Sequence, residues 1–208
     1  MLPGAPQSQG SLSALPLSVR RLLHYPQWDL DYAVYQILWL IRSPRQVYVT
    51  GVSHAVYPTE TKNQWARDDP AFVVVLMFFL TVSALGYGVA FRVHSFAAYV
   101  HLVVQNLLQF LGGGAVIAST CWFVANRYMR VSHVPHSFSP SVEQEVEWLY
   151  AFDVHCNSYV PVLINLHVIQ YLLLPVILSD SFAGVLLSNT LYGLTGVAYC
   201  YITLSGYM

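Results

Sequence analysis

"DDPAFVVVLMFFLTVSALGYGVAF" (residues 68–91) places two aspartates and a proline directly before twenty-one residues that contain no acid, lysine or arginine. A helix crosses roughly 30 Å of hydrocarbon with about 20 apolar residues. Asp69 is a good N-cap, Pro70 suits a first helical turn, and Trp65 lies one turn earlier, where an indole prefers the headgroup region. The stretch therefore predicts a membrane-spanning helix that begins at Ala71.

The whole composition agrees with a membrane protein. Of 208 residues only 9% are charged and 56% are hydrophobic, whereas soluble domains carry about 25% charged residues. Uncharged stretches predict four spans, at about 71–91, 98–123, 156–179 and 183–205. Backbone groups in lipid must be satisfied internally, and the strand alternation of a barrel is missing from the sequence. We therefore predict an all-α fold, a polytopic transmembrane helical bundle.

The chain before the bundle divides into two parts. Residues 1–19 are rich in Pro, Gly, Ser and Gln and lack the basic start and apolar core of a cleaved signal, so a disordered tail is expected. Residues 20–70 form the predicted amphipathic and juxtamembrane region, and 71–208 form the bundle. The first span should itself direct insertion.

Basic residues predict the orientation. Close to the span ends, Lys62, Arg67, Arg127 and Arg130 lie on one side and Arg92 on the other. An excess of lysine and arginine marks the cytoplasmic side of a membrane. The amino terminus and the loop 126–153 are therefore predicted to be cytosolic.

Residues 28–48, "WDLDYAVYQILWLIRSPRQVY", predict an amphipathic helix with apolar positions at 30, 34, 37, 38 and 41. Acids begin it and arginines end it, as the helix dipole favours. Its uncharged part is too short to span a bilayer. The sequence leaves two placements open, along the cytosolic interface or packed against the bundle.

A polar cluster is predicted at the cytoplasmic mouth of the bundle, because the first and third spans both enter from the cytosol. Arg67 can hold a carboxylate bidentately and stays charged near lipid. The alternative is that the segment around Asp69 merely starts a helix. The predicted cluster has seven members: Trp65, Arg67, Asp68, Asp69, Glu147, Asp153 and His155.

A metal site using Asp153 and His155 is the chemical alternative, in which the protein is a metal-dependent membrane enzyme. A D-x-H spacing is too common to identify a metal, and no H-E-x-x-H pair accompanies it. Cys121, Cys156 and Cys200 form no C-x-x-C motif. We therefore expect no metal, no cofactor and no catalytic residue.

The second span carries an intramembrane polar stripe, His101, Gln105 and Gln109, which we call the polar stripe. Such residues do not comfortably face lipid. They could line a proton or substrate path of a transporter, or they could form hydrogen bonds between helices. The second interpretation is favoured, because no Asp, Glu, Lys or Arg lies centrally in a predicted span.

Three segments resemble the uncoordinated-fifty (Unc-fifty) family of eukaryotic multi-pass Golgi membrane proteins. They are "TKNQWARDDPAF" at 61–72, "EWLYAFDVH" at 147–155 and "VILSDSFAGVLLSNTLYG" at 176–193, and the likeness covers about residues 20–208. The resemblance implies a non-enzymatic Golgi protein of vesicle-mediated transport with a cytosolic amino terminus.

The resemblance also implies partners. These are large Arf guanine-nucleotide exchange factors, which the family helps to place on Golgi membranes, and receptor cargo such as nicotinic acetylcholine receptors. Family members carry a further hydrophobic segment beyond the position of Met208, which this chain lacks. RNA binding and the inner nuclear membrane are also associated with the family. Nine basic residues and a pI near 6.7 give RNA phosphates little to bind.

Overall fold

The computed structural model of the chain describes residues 30–49, 71–129 and 145–207. Every regular element in these ranges is a helix, so the all-α prediction is confirmed for them. The tail predicted at 1–19 lies outside the described residues. The elements in chain order are α1 Leu30–Arg42, α2 Pro44–Val49, α3 Ala71–Ala90, α4 Phe96–Tyr128, α5 Trp148–Ser158, α6 Val160–Val162, a π-helix Leu163–Ile169, α7 Gln170–Leu172, α8 Leu174–Ile177 and α9 Phe182–Tyr207.

Three of the described helices, α3, α4 and α9, are long and apolar enough to cross a membrane by length and composition. The predicted spans 71–91 and 183–205 coincide with α3 and α9 to within two residues at each end. Helix α4 has 33 residues, about 50 Å, and so exceeds the hydrocarbon thickness. It therefore extends beyond the predicted span 98–123 at both ends.

A tight turn joins α3 to α4. Arg92 has a φ of 53°, in the left-handed region that usually holds glycine. The N–H of Val93 donates to the carbonyl of Gly88 at 2.9 Å, and that of Arg92 donates to the carbonyl of Val89 at 3.1 Å. This is the pattern of a Schellman motif. A Cβ at Gly88 would overlap the ring of Tyr99, so α3 and α4 are in close contact beside the turn.

The predicted third span is a broken helix rather than a single one. Residues 148–177 run through α5, α6, the π-helix, α7 and α8, with Pro161 and Pro175 inside the path. Proline lacks the N–H that an α-helix needs, and π-helical turns absorb such interruptions. Helix α3 holds the π-helix in place, because Tyr87 donates its hydroxyl to the carbonyl of Leu166 at 2.9 Å.

Helix α1 packs against the bundle. Ala33, Gln36 and Leu40 are buried, and the two apolar residues join a core with Leu76 and Phe110. Most of the apolar positions predicted for this helix instead point outward and are exposed: Leu30, Val34, Leu38 and Ile41. In a membrane protein the most apolar face of a helix is the one that suits lipid. The sequence pattern therefore identified the outer face of α1.

Candidate functional site: a polar cluster inside the helix bundle

Helix α5 brings four polar side chains into the protein interior. Asp153 and His155 are each 4% exposed, and Asn157 and Ser158 are fully buried. A buried polar group without a hydrogen bond is costly, so each of these side chains needs a partner. Their partners come from α1, α4 and α9, and we call the whole set the interior polar cluster.

His155 connects three helices. Its Nδ1 lies 2.7 Å from the hydroxyl of Tyr199 on α9, and its Nε2 lies 3.3 Å from the carbonyl oxygen of Phe110 on α4. A carbonyl can only accept, so Nε2 carries the proton. Burial disfavours a charged imidazole, and in the neutral form the other nitrogen, Nδ1, accepts from the hydroxyl of Tyr199. Both nitrogens therefore take part in holding the helices together.

Gly114 makes room for this imidazole. A Cβ at Gly114 would overlap the ring of His155, whereas Cβ atoms at Gly112 and Gly113 would meet nothing within 4 Å. The three consecutive glycines thus differ in role, because successive residues of a helix point about 100° apart. Only Gly114 faces the interior polar cluster.

Asn157 links the cluster to the amino-terminal helix. The amide of Gln36 donates to the side-chain oxygen of Asn157 at 2.8 Å, and both residues are buried. Asn157 in turn lies 3.5 Å from a carboxylate oxygen of Asp153, one turn earlier on α5. The bond joins residues 121 positions apart and fixes α1 to the bundle.

The contact between α5 and α9 is also polar. Thr203 donates to the hydroxyl of Ser158 at 2.9 Å, and Tyr150 donates to the carbonyl of Gly206 at 2.6 Å. A Cβ at Gly206 would come 2.9 Å from Val154, so the two backbones are close here.

At the same end of the cluster, α4 fixes the start of α5. The side chain of Asn126 makes two hydrogen bonds with the backbone of Val146, at 2.9 and 3.0 Å. Trp148 donates its indole N–H to Ser119 at 3.0 Å and stacks on Phe152. The two ends of the segment 127–145 are therefore held together.

The predicted mouth cluster is only partly described, and its described members differ in position. Trp65, Arg67, Asp68 and Asp69 lie outside the described residues. Glu147 is exposed, just before α5. Asp153 and His155 are buried, and His155 is level with Phe110 and Gly114 in the middle of α4, about 14 Å of helix from the predicted span end at 123. These two residues are thus interior groups and form no part of an exposed docking surface.

The polar stripe on α4 also differs from expectation. His101, Gln105 and Gln109 are all exposed, on the side of α4 opposite the buried residues Phe110 and Gly114. Neither glutamine side chain forms a hydrogen bond with any of the described residues. The stripe therefore does not join the described helices to one another, and it does not line a path between them.

Sequence reasoning missed most partners of the cluster. Tyr199 and Gly114 were not predicted to meet His155, nor Gln36 to meet Asn157, nor Thr203 to meet Ser158. Gln36 is a polar residue within an apolar helix and so carries a signal. In the described ranges, no three His, Cys, Asp or Glu side chains lie close enough together to hold a metal ion. With both nitrogens of His155 occupied, the arrangement is suited to joining helices rather than to binding a metal.

Comparisons with known proteins identify relatives over nearly the whole chain. A profile of the UNC-50 family matches residues 18–208. A protein unc-50 homolog of Dictyostelium discoideum is 42% identical over 194 residues, which cover 93% of this chain and 71% of the relative. The protein unc-50 homolog of Homo sapiens is 40% identical over 190 residues, 91% of this chain and 69% of the relative. No solved structure matches the chain.

Proposed function

Because this chain belongs to the UNC-50 family, a family of multi-pass membrane proteins, we propose that it is a Golgi protein of vesicle-mediated transport. It acts as an adaptor for large Arf guanine-nucleotide exchange factors and aids surface delivery of receptors such as nicotinic acetylcholine receptors. It has no enzymatic activity. The names of its relatives specify no reaction, and the occupied nitrogens of His155 support a structural role for that residue.

The topology in this proposal has four spans, with the amino terminus in the cytosol. The broken helix 148–177 is the third crossing. Its start at Tyr150 lies beside Gly206 near the end of α9, and its end lies beside the start of α9, where a Cβ at Gly184 would be 2.6 Å from the carbonyl of Val176. The broken helix thus runs antiparallel along the whole of α9, which supports a complete crossing.

The single observation that carries the adaptor proposal is the buried bond between Gln36 and Asn157. It anchors α1 to α5, so the amino-terminal helix is held against the bundle. Arg42 at the end of α1 and Glu147 before α5 are both exposed and charged, and in this proposal they belong to the surface that a cytosolic protein contacts. The interior polar cluster supports this surface from within, and residues 65–69 remain a predicted part of it.

Charge reversal of the exposed residues tests the adaptor role. Arg42→Glu combined with Glu147→Lys should lower the fraction of exchange factor on Golgi membranes while this protein keeps its Golgi position. Asp180→Lys, an exposed acid on the opposite side of the proposed topology, is the matched control. Normal exchange-factor recruitment by the double variant would contradict the proposed surface.

Engineered glycosylation sites test the topology separately. Asn-x-Ser/Thr acceptors inserted in the turn 91–95 and in 178–181 should be modified, because the proposed topology puts both in the lumen. The same acceptor inserted in 130–144 should stay unmodified. Modification of 91–95 without 178–181 would mean that the broken helix fails to cross, and the four-span topology would be wrong.

A further inference from the structure

The outer face of α4 is unusual for a helix that faces lipid. We define the outer stripe as five exposed residues on that face: His101, Gln105, Gln109, Gly112 and Val116. They lie three or four residues apart, about one helical turn, so the stripe runs straight along the helix. From His101 to Val116 it extends about 22 Å, most of the thickness of the hydrocarbon core.

The two glutamines make lipid an unsuitable neighbour for this face. Moving an amide from water to a solvent that cannot form hydrogen bonds is unfavourable. Within the described ranges, neither Gln105 nor Gln109 has a hydrogen-bond partner. A further group must therefore satisfy these amides when the helix lies in a bilayer.

Glycine provides space for such a group to approach closely. A Cβ placed on Gly112 or Gly113 would meet nothing within 4 Å, so both glycines leave open space beside α4. Small residues beside polar ones are typical of contacts between transmembrane helices, because they let two backbones come together. The outer stripe has both properties and suits another helix.

We propose that the partner is α4 of a second copy of this chain, in a parallel two-fold dimer. A carboxamide carries a donor and an acceptor, so Gln105 and Gln109 can bond to the same residues of the second copy across a two-fold axis. Two copies inserted in the same orientation present parallel helices, which bring identical residues opposite each other. The outer stripe contains no acid, lysine or arginine, so no such like charges oppose one another.

Disulfide cross-linking tests this contact in native membranes. Cys121 and Cys200 are replaced by alanine, and the buried Cys156 is kept. A cysteine pair closes only when the two Cα atoms are within about 7 Å. Gln109→Cys, and Gln105→Cys as a second variant, should give a disulfide-linked dimer on oxidation. Val82→Cys, on the exposed apolar face of α3, should not.

A matched glycine pair separates the interface from a general effect on folding. Gly112→Leu should lower the dimer yield about tenfold, since the added side chain overpacks only the contact between the two copies. Gly193→Leu on α9 has equally open space and should leave the yield unchanged. Equal cross-linking at positions 82 and 109, cross-linking at neither glutamine position, or cross-links only to a different protein would each overturn the proposal.

Discussion

Helices α3 and α4 are both long, apolar and joined by a tight turn, yet their outer faces differ in chemistry. The exposed residues of α3 are almost all large and apolar, among them Phe78, Phe79, Val82 and Val89. Those of α4 include two amides, an imidazole and two glycines. Lipid suits the first surface, whereas the second needs a polar partner. Length and hydropathy thus identify a membrane-spanning helix, but they do not indicate whether lipid or a polar partner contacts its outer face.

The largest effect is expected at the inner face of α4. Gly114→Leu should destabilise the fold by about 3 kcal/mol, because the new side chain overlaps the ring of His155. Gly113→Leu, one residue away in open space, should have no destabilising effect. Thermal unfolding of monomeric protein in detergent measures both. Equal loss in the two variants would mean that the helix itself, not the contact with His155, is sensitive.

A smaller effect should follow from exchanging the outer faces. Val82→Gln places an amide on the lipid-facing side of α3 and should disfavour the membrane-inserted fold by about 2 kcal/mol. Gln109→Val removes an amide that bonds to no described residue, so in the monomer it should stabilise the membrane-inserted fold by a similar amount. The stability of the two variants is compared by unfolding in bilayers of defined lipid, with the protein diluted until it is monomeric. A tolerated Val82→Gln would remove the distinction between the two faces.

The smallest effect is expected from one hydroxyl group in the interior polar cluster. Tyr199→Phe removes the donor to Nδ1 of His155 and should cost about 1 kcal/mol. Tyr192→Phe, at an exposed position of the same helix, is the control. Thermal unfolding again measures the difference in stability between the two variants. If the two variants unfold alike, the hydrogen bond of His155 contributes no measurable stability.

Most of the fold followed from the sequence because lipid imposes a simple rule on span composition. The limits of α3 and α9 were predicted closely from uncharged length alone. The break around the π-helix was not predicted, because proline is tolerated in membrane helices and its local consequence depends on neighbours such as Tyr87. The outward orientation of the apolar positions of α1 was likewise not predicted. In a soluble protein such a face would be buried, whereas in a membrane protein it can face lipid.

The site was less predictable than the fold. Asp153 and His155 were chosen for their chemistry, but their depth depends on which residues of α4 they meet. The pairs Gln36–Asn157 and His155–Tyr199 join residues 121 and 44 positions apart, and local patterns carry no information on such pairing. The stripe at Gln105 and Gln109 was recognised, whereas its outward direction depends on how α4 packs.

The two short connections bear on how cargo is recognised. Five residues, 91–95, join α3 to α4, and four, 178–181, join α8 to α9. In the proposed orientation these are the described parts that lie in the secretory lumen, and together they contain nine residues. Two such short connections offer little binding surface to the folded ectodomain of a receptor. Recognition of a receptor by the described residues would therefore depend on the receptor's own membrane helices.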